Sequence, residues 1–538
     1  MSEAQRSIEF DRLKIDAIFE DYNQCHLPGV AVGIALKDTS VYRRGFGLAN
    51  MELPVMLSPT TRMRVGSSTK QFVAFAYLLL CEEGRAALDD PIGKFLPELH
   101  PVTHGVTMRQ LMGNTSGLRD AIQISWEFSG TGRRVTADEM LSLYRSIDDV
   151  NAKPGTAWLY INGGWLILSA VIERITGQSL EEVLRERVFM PIGMYDSLLR
   201  RWDTDFVHNS AALHMSSPDG GYEKSYLGTA LTGEGGIVST VDDLLRWLTH
   251  MDRPFVGTLQ TWQTMKKPLT LPNGTATGYS MGLMIGQYRG VNVIYHGGSV
   301  MGGMTQLLKV PSVGLNVAVI TNRWDANPVA LAHRVIEACL PGLESPKAAK
   351  VRPLLDGVFR SRKTGRIVEF MRGHRASYLT REGTQAMSID GLELPVELDA
   401  EGVFWPSGGL EWMKIGVTLI GDPDEPHSIE LSDFGNRDRL DHVKLSDGLP
   451  STSLVGRYRS ATTDTDALVI PTEGGLRLTM VGRFGSADYT MRCLTPGIWR
   501  AKGKLDFPPG FLLSFDDDGK AFNLWSYRTW ALSFRRMT

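Results

Sequence analysis

The chain has few cysteines, no long apolar run and no excess of charge of either sign. Its four cysteines among 538 residues show no spacing typical of disulfide pairs or metal sites, which favours a reducing compartment. No run reaches the roughly 20 apolar residues that a membrane-spanning helix needs. A formal net charge of −3 gives no basic surface for nucleic acid or an anionic membrane. The N-terminal stretch lacks the apolar core of a signal peptide, so we expect a cytoplasmic protein.

Motifs for metal and phosphate binding are also missing. The eleven histidines include no H-E-x-x-H pair, and the glycine-rich stretch G-E-G-G-I-V-S-T lacks the lysine of a phosphate-binding loop. We therefore expect no metal, no cofactor and no nucleic acid, and a small molecule as the partner. The sequence leaves open whether the protein forms a homodimer.

The most informative stretch runs R-V-G-S-S-T-K-Q-F-V-A-F-A-Y-L-L-L-C from Arg64 to Cys81. Its apolar run from Phe72 predicts a buried helix that starts near Ser67. Ser67 and Lys70 then lie about one turn apart on the same face. A partly desolvated amine can take the proton of a serine hydroxyl and activate it as a nucleophile. Two common residues at this spacing also arise by chance, so the motif needs support elsewhere.

A second candidate motif is Y-I-N, with Tyr160 and Asn162 in a turn before a predicted helix. Both side chains can project into one cleft, where a phenol near an ammonium can act as base and then as acid. The alternative is a core tyrosine whose hydroxyl caps a turn.

A third motif, H-G-G-S, ends the predicted strand V-N-V-I-Y and comprises His296, Gly297, Gly298 and Ser299. The two glycines let a substrate backbone lie along the strand, and backbone N–H groups there can bind an oxyanion. The alternative is an edge histidine followed by a glycine-rich turn.

One competing signal is G-Y-S-M-G at 278–282, which matches the G-x-S-x-G pattern of α/β-hydrolases. Such a nucleophile needs a strand before the serine and a helix after it. Here a polar loop comes before Ser280 and strand-like sequence follows. We therefore expect Ser280 to be structural.

Helical and strand-like patterns alternate in the first 340 residues. The sequence predicts helices over 8–24, 136–147, 163–187, 242–251 and 328–340, and strands over 29–37, 41–50 and from Tyr279 to Asn322. Strands at both ends with helices between them indicate an α+β fold, in which an antiparallel sheet is flanked by a helical cluster. After a predicted linker at 341–350, short strands recur between turns, which is typical of small antiparallel β-barrels. We place two such barrels at 351–448 and 449–538.

With S-S-T-K, Y-I-N and H-G-G in this order, residues 1–340 resemble the serine β-lactamase and penicillin-binding protein family, in its class C-like, S-x-x-K form. N-T-S-G-L-R-D and the ending V-G-R-Y-R-S…E-G-G resemble its penicillin-recognising D-aminopeptidases. Those enzymes combine a β-lactamase-like catalytic domain with two C-terminal β-barrels.

The resemblance implies roles for individual residues. Ser67 attacks the carbonyl carbon and forms an acyl-enzyme, Lys70 and Tyr160 share the proton transfers, and Asn162 binds Lys70 or the substrate amide. His296 replaces the lysine of the lactamase Lys-Thr-Gly motif, beside Gly297 and Gly298 in the substrate-binding strand. The N–H groups of Ser67 and Ser299 form the oxyanion hole. Which of Lys70 and Tyr160 is the base stays open.

In the D-aminopeptidases a loop of the last barrel enters the active site and selects a free amino terminus. The matching stretch is A-K-G-K-L-D-F-P-P-G-F at 501–511, where Asp506 would bind the substrate ammonium. A solvated loop acid is the alternative, since this loop is shorter and carries Lys502 and Lys504.

The resemblance thus implies a serine peptidase or amidohydrolase that acts on peptides or amides containing D-amino acids. The substrate is either a short peptide with an N-terminal D-residue or a linear nonribosomal peptide, such as linearised microcystin. Two alternatives stay open. One is a carboxylesterase of the β-lactamase fold, and the other is a sensor that binds penicillin or peptides without hydrolysis.

Overall fold

The computed structural model describes residues 8–217, 220–345, 354–373, 383–408, 410, 413–443, 451–504 and 510–538. Within these ranges the chain forms an α+β region followed by two closed antiparallel barrels, so the predicted fold class is confirmed. The predicted linker at 341–350 and the predicted limit between the barrels near 448 lie at least partly outside the described residues, and these limits stay predictions.

Among the described residues, the α-helices all belong to the first region. They are α1 Arg12–Phe19, α2 Thr69–Glu82, α3 Ile92–Phe95, α4 Pro101–His104, α5 Met108–Met112, α6 Ala121–Ser129, α7 Ala137–Leu143, α8 Gly163–Thr176, α9 Leu180–Leu184, α10 Met190–Ile192, α11 Val241–His250, α12 Leu259–Lys266 and α13 Pro328–Cys339. The helices predicted over 8–24, 136–147 and 328–340 are present but shorter, and the one predicted over 242–251 is shifted by one residue. The predicted helix over 163–187 divides at Gly177, which takes the left-handed conformation at the end of α8. Helices α6 and α12 were not predicted.

The strands of this region are β1 Val30–Leu36, β2 Thr39–Phe46, β3 Leu48–Asn50, β4 Val55–Met56, β5 Met63–Arg64, β6 Leu198–Leu199, β7 His214–Ser216, β8 Tyr222–Lys224, β9 Ile237–Ser239, β10 Met284–Tyr288, β11 Val291–Val300, β12 Gly303–Val310 and β13 Leu315–Thr321. The main sheet has the order β10-β11-β12-β13-β1-β2, so the N-terminal hairpin completes a sheet built from the far end of the domain. Strand β11 runs through H-G-G-S to Val300, so this motif forms the end of the strand, as the sequence suggested.

Alternation along β1 explains how the sheet is covered on both faces. Val30, Val32 and Ile34 pack with α1 and α13 in one core, while Ala31 and Ala35 belong to the core around α2. Gly33 lies so close to α11 that an added Cβ would lie 2.3 Å from the Val241 side chain. The helical cluster, which includes the buried helix α2, is therefore held against one face of the sheet.

The barrels contain eight strands each. The first is β14 Gly357–Arg360, β15 Ile367–Arg372, β16 Gln385–Ile389, β17 Leu392–Leu398, β18 Val403–Pro406, β19 Ile415–Gly421, β20 Pro426–Asp433 and β21 Asn436–His442. The second is β22 Gly456–Ser460, β23 Thr465–Thr472, β24 Gly475–Gly482, β25 Gly485–Thr495, β26 Ile498–Lys502, β27 Phe511–Phe515, β28 Ala521–Ser526 and β29 Thr529–Arg536. In each barrel the first strand pairs with the last, which leaves no free sheet edge.

Candidate active site

Ser67 lies in a single 3-10 turn, Gly66–Ser68, that leads directly into α2. Gly66 has a φ of +51°, a conformation that favours glycine, and this sharp entry places Ser67 at the start of the helix. The Nζ atom of Lys70 lies 3.0 Å from Ser67 Oγ. The predicted helix and the Ser67–Lys70 pairing are therefore present in the structure, with the α-helix proper starting two residues after the serine.

Lys70 is fully buried and has hydrogen-bond acceptors in three directions. Besides Ser67, its Nζ donates to Asn162 Oδ1 at 2.9 Å and to the backbone carbonyl of Glu234 at 2.6 Å. Burial lowers the pKa of Lys70 well below its ordinary value, and the positive charge of Arg528 lowers it further. The carboxyl group of Glu234 is also buried, and burial raises its pKa. The surroundings thus favour a neutral amine beside the serine.

Tyr160 lies in the loop just before α8, and its ring centroid is 5.0 Å from Lys70 Nζ. Burial raises the pKa of the Tyr160 phenol to about 12, while a hydrogen bond with Ser67 and the positive charge of Arg528 oppose this rise. Tyr160 therefore contacts both partners of the Ser67–Lys70 pair, as a protonated phenol at neutral pH.

Asp120 fixes the loop that carries Tyr160 and Asn162. Its carboxylate accepts hydrogen bonds from the N–H groups of Asn162 at 2.8 Å and Gly163 at 3.0 Å. It also caps α6 by accepting from the N–H groups of Ile122 and Gln123. One buried carboxylate thus holds the starts of α6 and α8 together and sets the position of Asn162. Asp120 was not among the predicted site residues, although an aspartate before an apolar stretch is a helix-cap signal.

His296 is buried beneath the site. Its Nε2 lies 3.1 Å from the Tyr279 hydroxyl, and its backbone carbonyl accepts from Ser68 Oγ at 3.1 Å. Burial lowers the pKa of His296 to about 3, so the ring is neutral at physiological pH. His296 therefore offers no positive charge where the resembling lactamase motif has a lysine.

The segment from Gly297 to Ser299 lies against the turn that carries the nucleophile. A Cβ built on Gly298 would lie 1.9 Å from the Val65 carbonyl and 3.0 Å from the Ser67 backbone nitrogen. A Cβ on Gly66 would lie 2.6 Å from the Ser299 nitrogen. Glycine at 66 and 298 thus permits the backbone approach that brings the N–H groups of Ser67 and Ser299 together. Their role as the oxyanion hole stays a prediction that this approach supports.

Arg528 is the most unexpected member of the site, because it comes from the second barrel. It lies in the two-residue turn between β28 and β29, with its guanidinium carbon 5.3 Å from the Tyr160 ring centroid. Its Nη1 donates to Asp120 Oδ2 at 3.4 Å. Nothing in the sequence marked this arginine, since no local pattern shows that a barrel turn reaches the catalytic domain.

Glu127 is a second titratable group at the same interface. It lies on α6, its Oε1 accepts from Gln123 Nε2 at 2.6 Å, and its backbone carbonyl accepts from the Tyr489 hydroxyl of the second barrel at 2.6 Å. Burial raises the pKa of its carboxyl group to about 8, although the hydrogen bond from Gln123 opposes this. Glu127 is therefore largely uncharged at neutral pH.

Two other predicted positions have different outcomes. Asp506 lies outside the described residues, so its assignment to the substrate ammonium stays a prediction. Ser280 is buried, and its Oγ donates to the carbonyls of Met265 and Lys267 at 2.6 and 2.7 Å, which agrees with a structural role.

In the described ranges, no group of three His, Cys, Asp or Glu side chains is arranged to hold a metal ion. No helix in those ranges has the length and apolar character needed to cross a membrane.

The chain is similar in sequence to proteins of a known family. The model of the Beta-lactamase family matches residues 15–339. A D-aminopeptidase of Gluconobacter oxydans is 29% identical over 342 residues, which cover 63% of this chain and 64% of that protein. A D-aminopeptidase of Brucella melitensis biotype 2 is 26% identical over 478 residues, which cover 88% of this chain and 87% of that protein. The match to the Gluconobacter protein thus spans slightly less than two thirds of its length.

Solved structures share the fold. A penicillin-binding protein homologue from Pyrococcus abyssi superposes with a TM-score of 0.57 at 24% identity, covering 80% of this chain and all of that one. A D-amino acid amidase from Ochrobactrum anthropi SV3 superposes with a TM-score of 0.53 at 23% identity, covering 61% of this chain and 98% of the amidase.

Proposed function

The chain belongs to the β-lactamase family and is a serine hydrolase, and we propose that it hydrolyses amide bonds at D-amino acid residues through an acyl-enzyme on Ser67. The observation that carries this proposal is the buried Lys70 amine 3.0 Å from Ser67 Oγ. Burying a lysine in the first turn of a packed helix, without a direct ion-pair partner, costs stability. An activated nucleophile accounts for its presence there.

The directions of the pKa shifts support Lys70 as the base in the free enzyme. Burial lowers the pKa of Lys70 and raises the pKa of Tyr160, which favours the neutral amine and the neutral phenol. A neutral amine accepts a proton, whereas a neutral phenol first donates one. We therefore assign proton removal from Ser67 to Lys70 and proton delivery to the leaving amine to Tyr160.

The reaction then follows from these positions. As Ser67 Oγ attacks the carbonyl carbon, its proton passes to Lys70, and the N–H groups of Ser67 and Ser299 bind the developing oxyanion. Collapse of the tetrahedral intermediate breaks the amide bond, and the leaving amine takes a proton from Tyr160, which regains one from Lys70. Water then hydrolyses the acyl-enzyme ester and restores Ser67.

The D-residue preference is supported by the relatives, two of which are named D-aminopeptidases and one D-amino acid amidase. Binding of a small peptide or amide in the cleft follows from this proposal. We also propose a cytoplasmic location, which the four unpaired cysteines support. A homodimer stays a prediction from the sequence.

The test compares turnover of D-alanine p-nitroanilide, its L enantiomer and N-acetyl-D-alanine p-nitroanilide. We expect D-alanine p-nitroanilide to be cleaved at least about tenfold faster than its L enantiomer, because a chiral site separates enantiomers by their fit to the transition state. No discrimination, or ester hydrolysis without amide hydrolysis, contradicts the proposal and favours the esterase. Turnover of the acetylated compound decides between cleavage within a chain and release of an N-terminal residue.

A matched pair of serine variants completes this test. Ser67→Ala should lower kcat by at least about a thousandfold, because loss of a nucleophile removes the covalent route. Ser280→Ala should retain activity, since its hydroxyl only bonds backbone carbonyls of a turn. If Ser280→Ala loses activity while Ser67→Ala retains it, the nucleophile is Ser280 of the G-x-S-x-G motif.

A further inference from the structure

The second barrel holds Arg528 firmly at the catalytic domain. Asn151 Nδ2 donates to the Arg528 carbonyl at 2.9 Å, and Asn151 Oδ1 accepts from the Trp530 N–H at 2.9 Å. Arg119 Nη1 donates to the Trp530 carbonyl at 2.9 Å. The backbone from the Arg528 carbonyl to the Trp530 N–H is thus bonded at both ends to one asparagine of the catalytic domain. This fixes the arginine beside Tyr160.

The guanidinium of Arg528 has fewer partners than that of Arg366, another half-buried arginine of the barrels. Within the described part of the chain its hydrogen-bond acceptor is Asp120, at the long distance of 3.4 Å. Arg366, by contrast, bonds the carboxylates of Asp390 and Asp433 at 2.7 and 2.6 Å. Asp120 itself already accepts four backbone N–H groups at the starts of α6 and α8. Arg528 therefore keeps most of its donors for another acceptor.

Arg528 is a permanent cation at the cleft, and its ion pair with Asp120 is long, at 3.4 Å. Burial keeps His296 uncharged, since it lowers its pKa to about 3, and favours the neutral forms of Lys70 and Glu127. The two carboxyl oxygens of Glu234 accept hydrogen bonds from the N–H and the hydroxyl group of Thr232. A substrate ammonium near Tyr160 would face the guanidinium directly, which is unfavourable. A carboxylate there would gain a charge-assisted, two-pronged hydrogen bond.

We propose that Arg528 of the second barrel binds a carboxylate of the substrate beside Tyr160, so that the enzyme prefers D-residue substrates that carry a carboxylate next to the scissile bond. This inference rests on the proposed function and specifies its substrate class. The carboxylate has two possible sources, which are the side chain of the D-residue and the C-terminus of the leaving group. Arg528 in the barrel turn thus supplies the positive charge that the neutral His296 does not.

Two pairs of substrates that differ by one charge test the proposal. The first is D-glutamic acid α-p-nitroanilide against its D-glutamine counterpart, and the second is D-alanyl-D-alanine against D-alanyl-D-alaninamide. We expect the wild-type enzyme to prefer the carboxylate form in one pair by about tenfold in kcat/KM, the range of a charge-assisted hydrogen bond. The pair that shows the preference identifies the source of the carboxylate.

Variants then assign the preference to its residue. In Arg528→Gln the kcat/KM ratio of that pair should fall to near one, and Arg528→Lys should retain part of it. Arg477→Gln removes the same charge from an exposed position on β24 of the same barrel and should keep the wild-type ratio. A ratio within twofold of wild type in Arg528→Gln would overturn the proposal, as would a wild-type enzyme without preference in either pair. Failure to hydrolyse D-alanine p-nitroanilide and every member of both substrate pairs would instead contradict the proposed function itself, and the inference with it.

Discussion

The two C-terminal barrels have the same strand order, yet they contribute differently to the catalytic domain. The first barrel reaches it through the tight turn between β20 and β21, where the Phe434 ring stacks on Trp158 with centroids 4.7 Å apart. The second reaches the same loop from the turn between β28 and β29 and places Arg528 beside Tyr160. One turn supplies apolar packing and the other supplies charge.

This difference shows how a repeated module can acquire two roles. Phe434 is buried and has a φ of +45°, and it shares the turn with Gly435 at φ +79°, as a tight hairpin requires. Its contact with Trp158 supports the loop two residues before Tyr160. Arg528 instead acts on the charges of the site. We therefore expect changes in the first turn to affect mainly stability and changes around the second to affect mainly activity.

The largest expected effect is on stability, from Phe434→Ala in the first barrel. Removing a buried ring that stacks on Trp158 should lower the free energy of unfolding by about 3 kcal/mol, from lost burial and a residual cavity. Denaturant unfolding measures this loss, and Phe434→Leu should lose less. A fall in kcat/KM of tenfold or more in a folded Phe434→Ala protein would contradict the division of roles.

A smaller effect, on activity, is expected from Asn151→Ala. This change removes both hydrogen bonds that hold the backbone around Arg528. We expect kcat/KM for D-alanine p-nitroanilide to change by about tenfold, because the misplaced arginine alters the charge beside Lys70 and Tyr160. Steady-state kinetics with circular dichroism of the same sample measures it. Unchanged kinetics would mean that the turn is positioned without Asn151.

The effect of Glu127, at the interface of α6 with the second barrel, is the smallest over any single pH unit. Burial raises the pKa of its carboxyl group from an ordinary value of 4.5 to about 8, so the folded protein binds more protons than the unfolded chain between these values. Stability from this group is complete below about pH 4.5 and decreases as pH rises toward 8, by at most about 1.4 kcal/mol per pH unit. Glu127→Gln should flatten this dependence in unfolding measured from pH 5 to 8. An equal slope in both proteins would show that Glu127 does not titrate in this window.

Local patterns predicted several of the side chains that the structure brings together around Ser67. The apolar run after Lys70 predicted the buried helix, and the order of three motifs brought Ser67, Tyr160 and His296 into one site. Strand periodicity predicted the two barrels. These features depend on residues that are near in sequence or on motifs with a known order.

The remaining features depend on contacts that no local pattern encodes. Arg528 and Asp120 are hydrogen-bonded although 408 residues separate them in the sequence. The sequence around an arginine in a turn does not indicate whether its side chain faces water or a cleft. The neutral state of His296 follows from burial under Tyr279, which depends on how β11 packs against the Ser67 turn. Helix α6 was missed because its short, mixed sequence gains stability from packing on the second barrel.

The most direct test of the central claim is to locate the acyl group on the enzyme. The protein is mixed with a D-alanine ester, quenched with acid within the first turnover and digested, and the peptides are analysed by mass spectrometry. The account predicts an added alanyl mass on the peptide that contains Ser67, and its absence in Ser67→Ala. An alanyl group on the peptide that contains Ser280, or hydrolysis without any covalent adduct under conditions that trap esters, would contradict it.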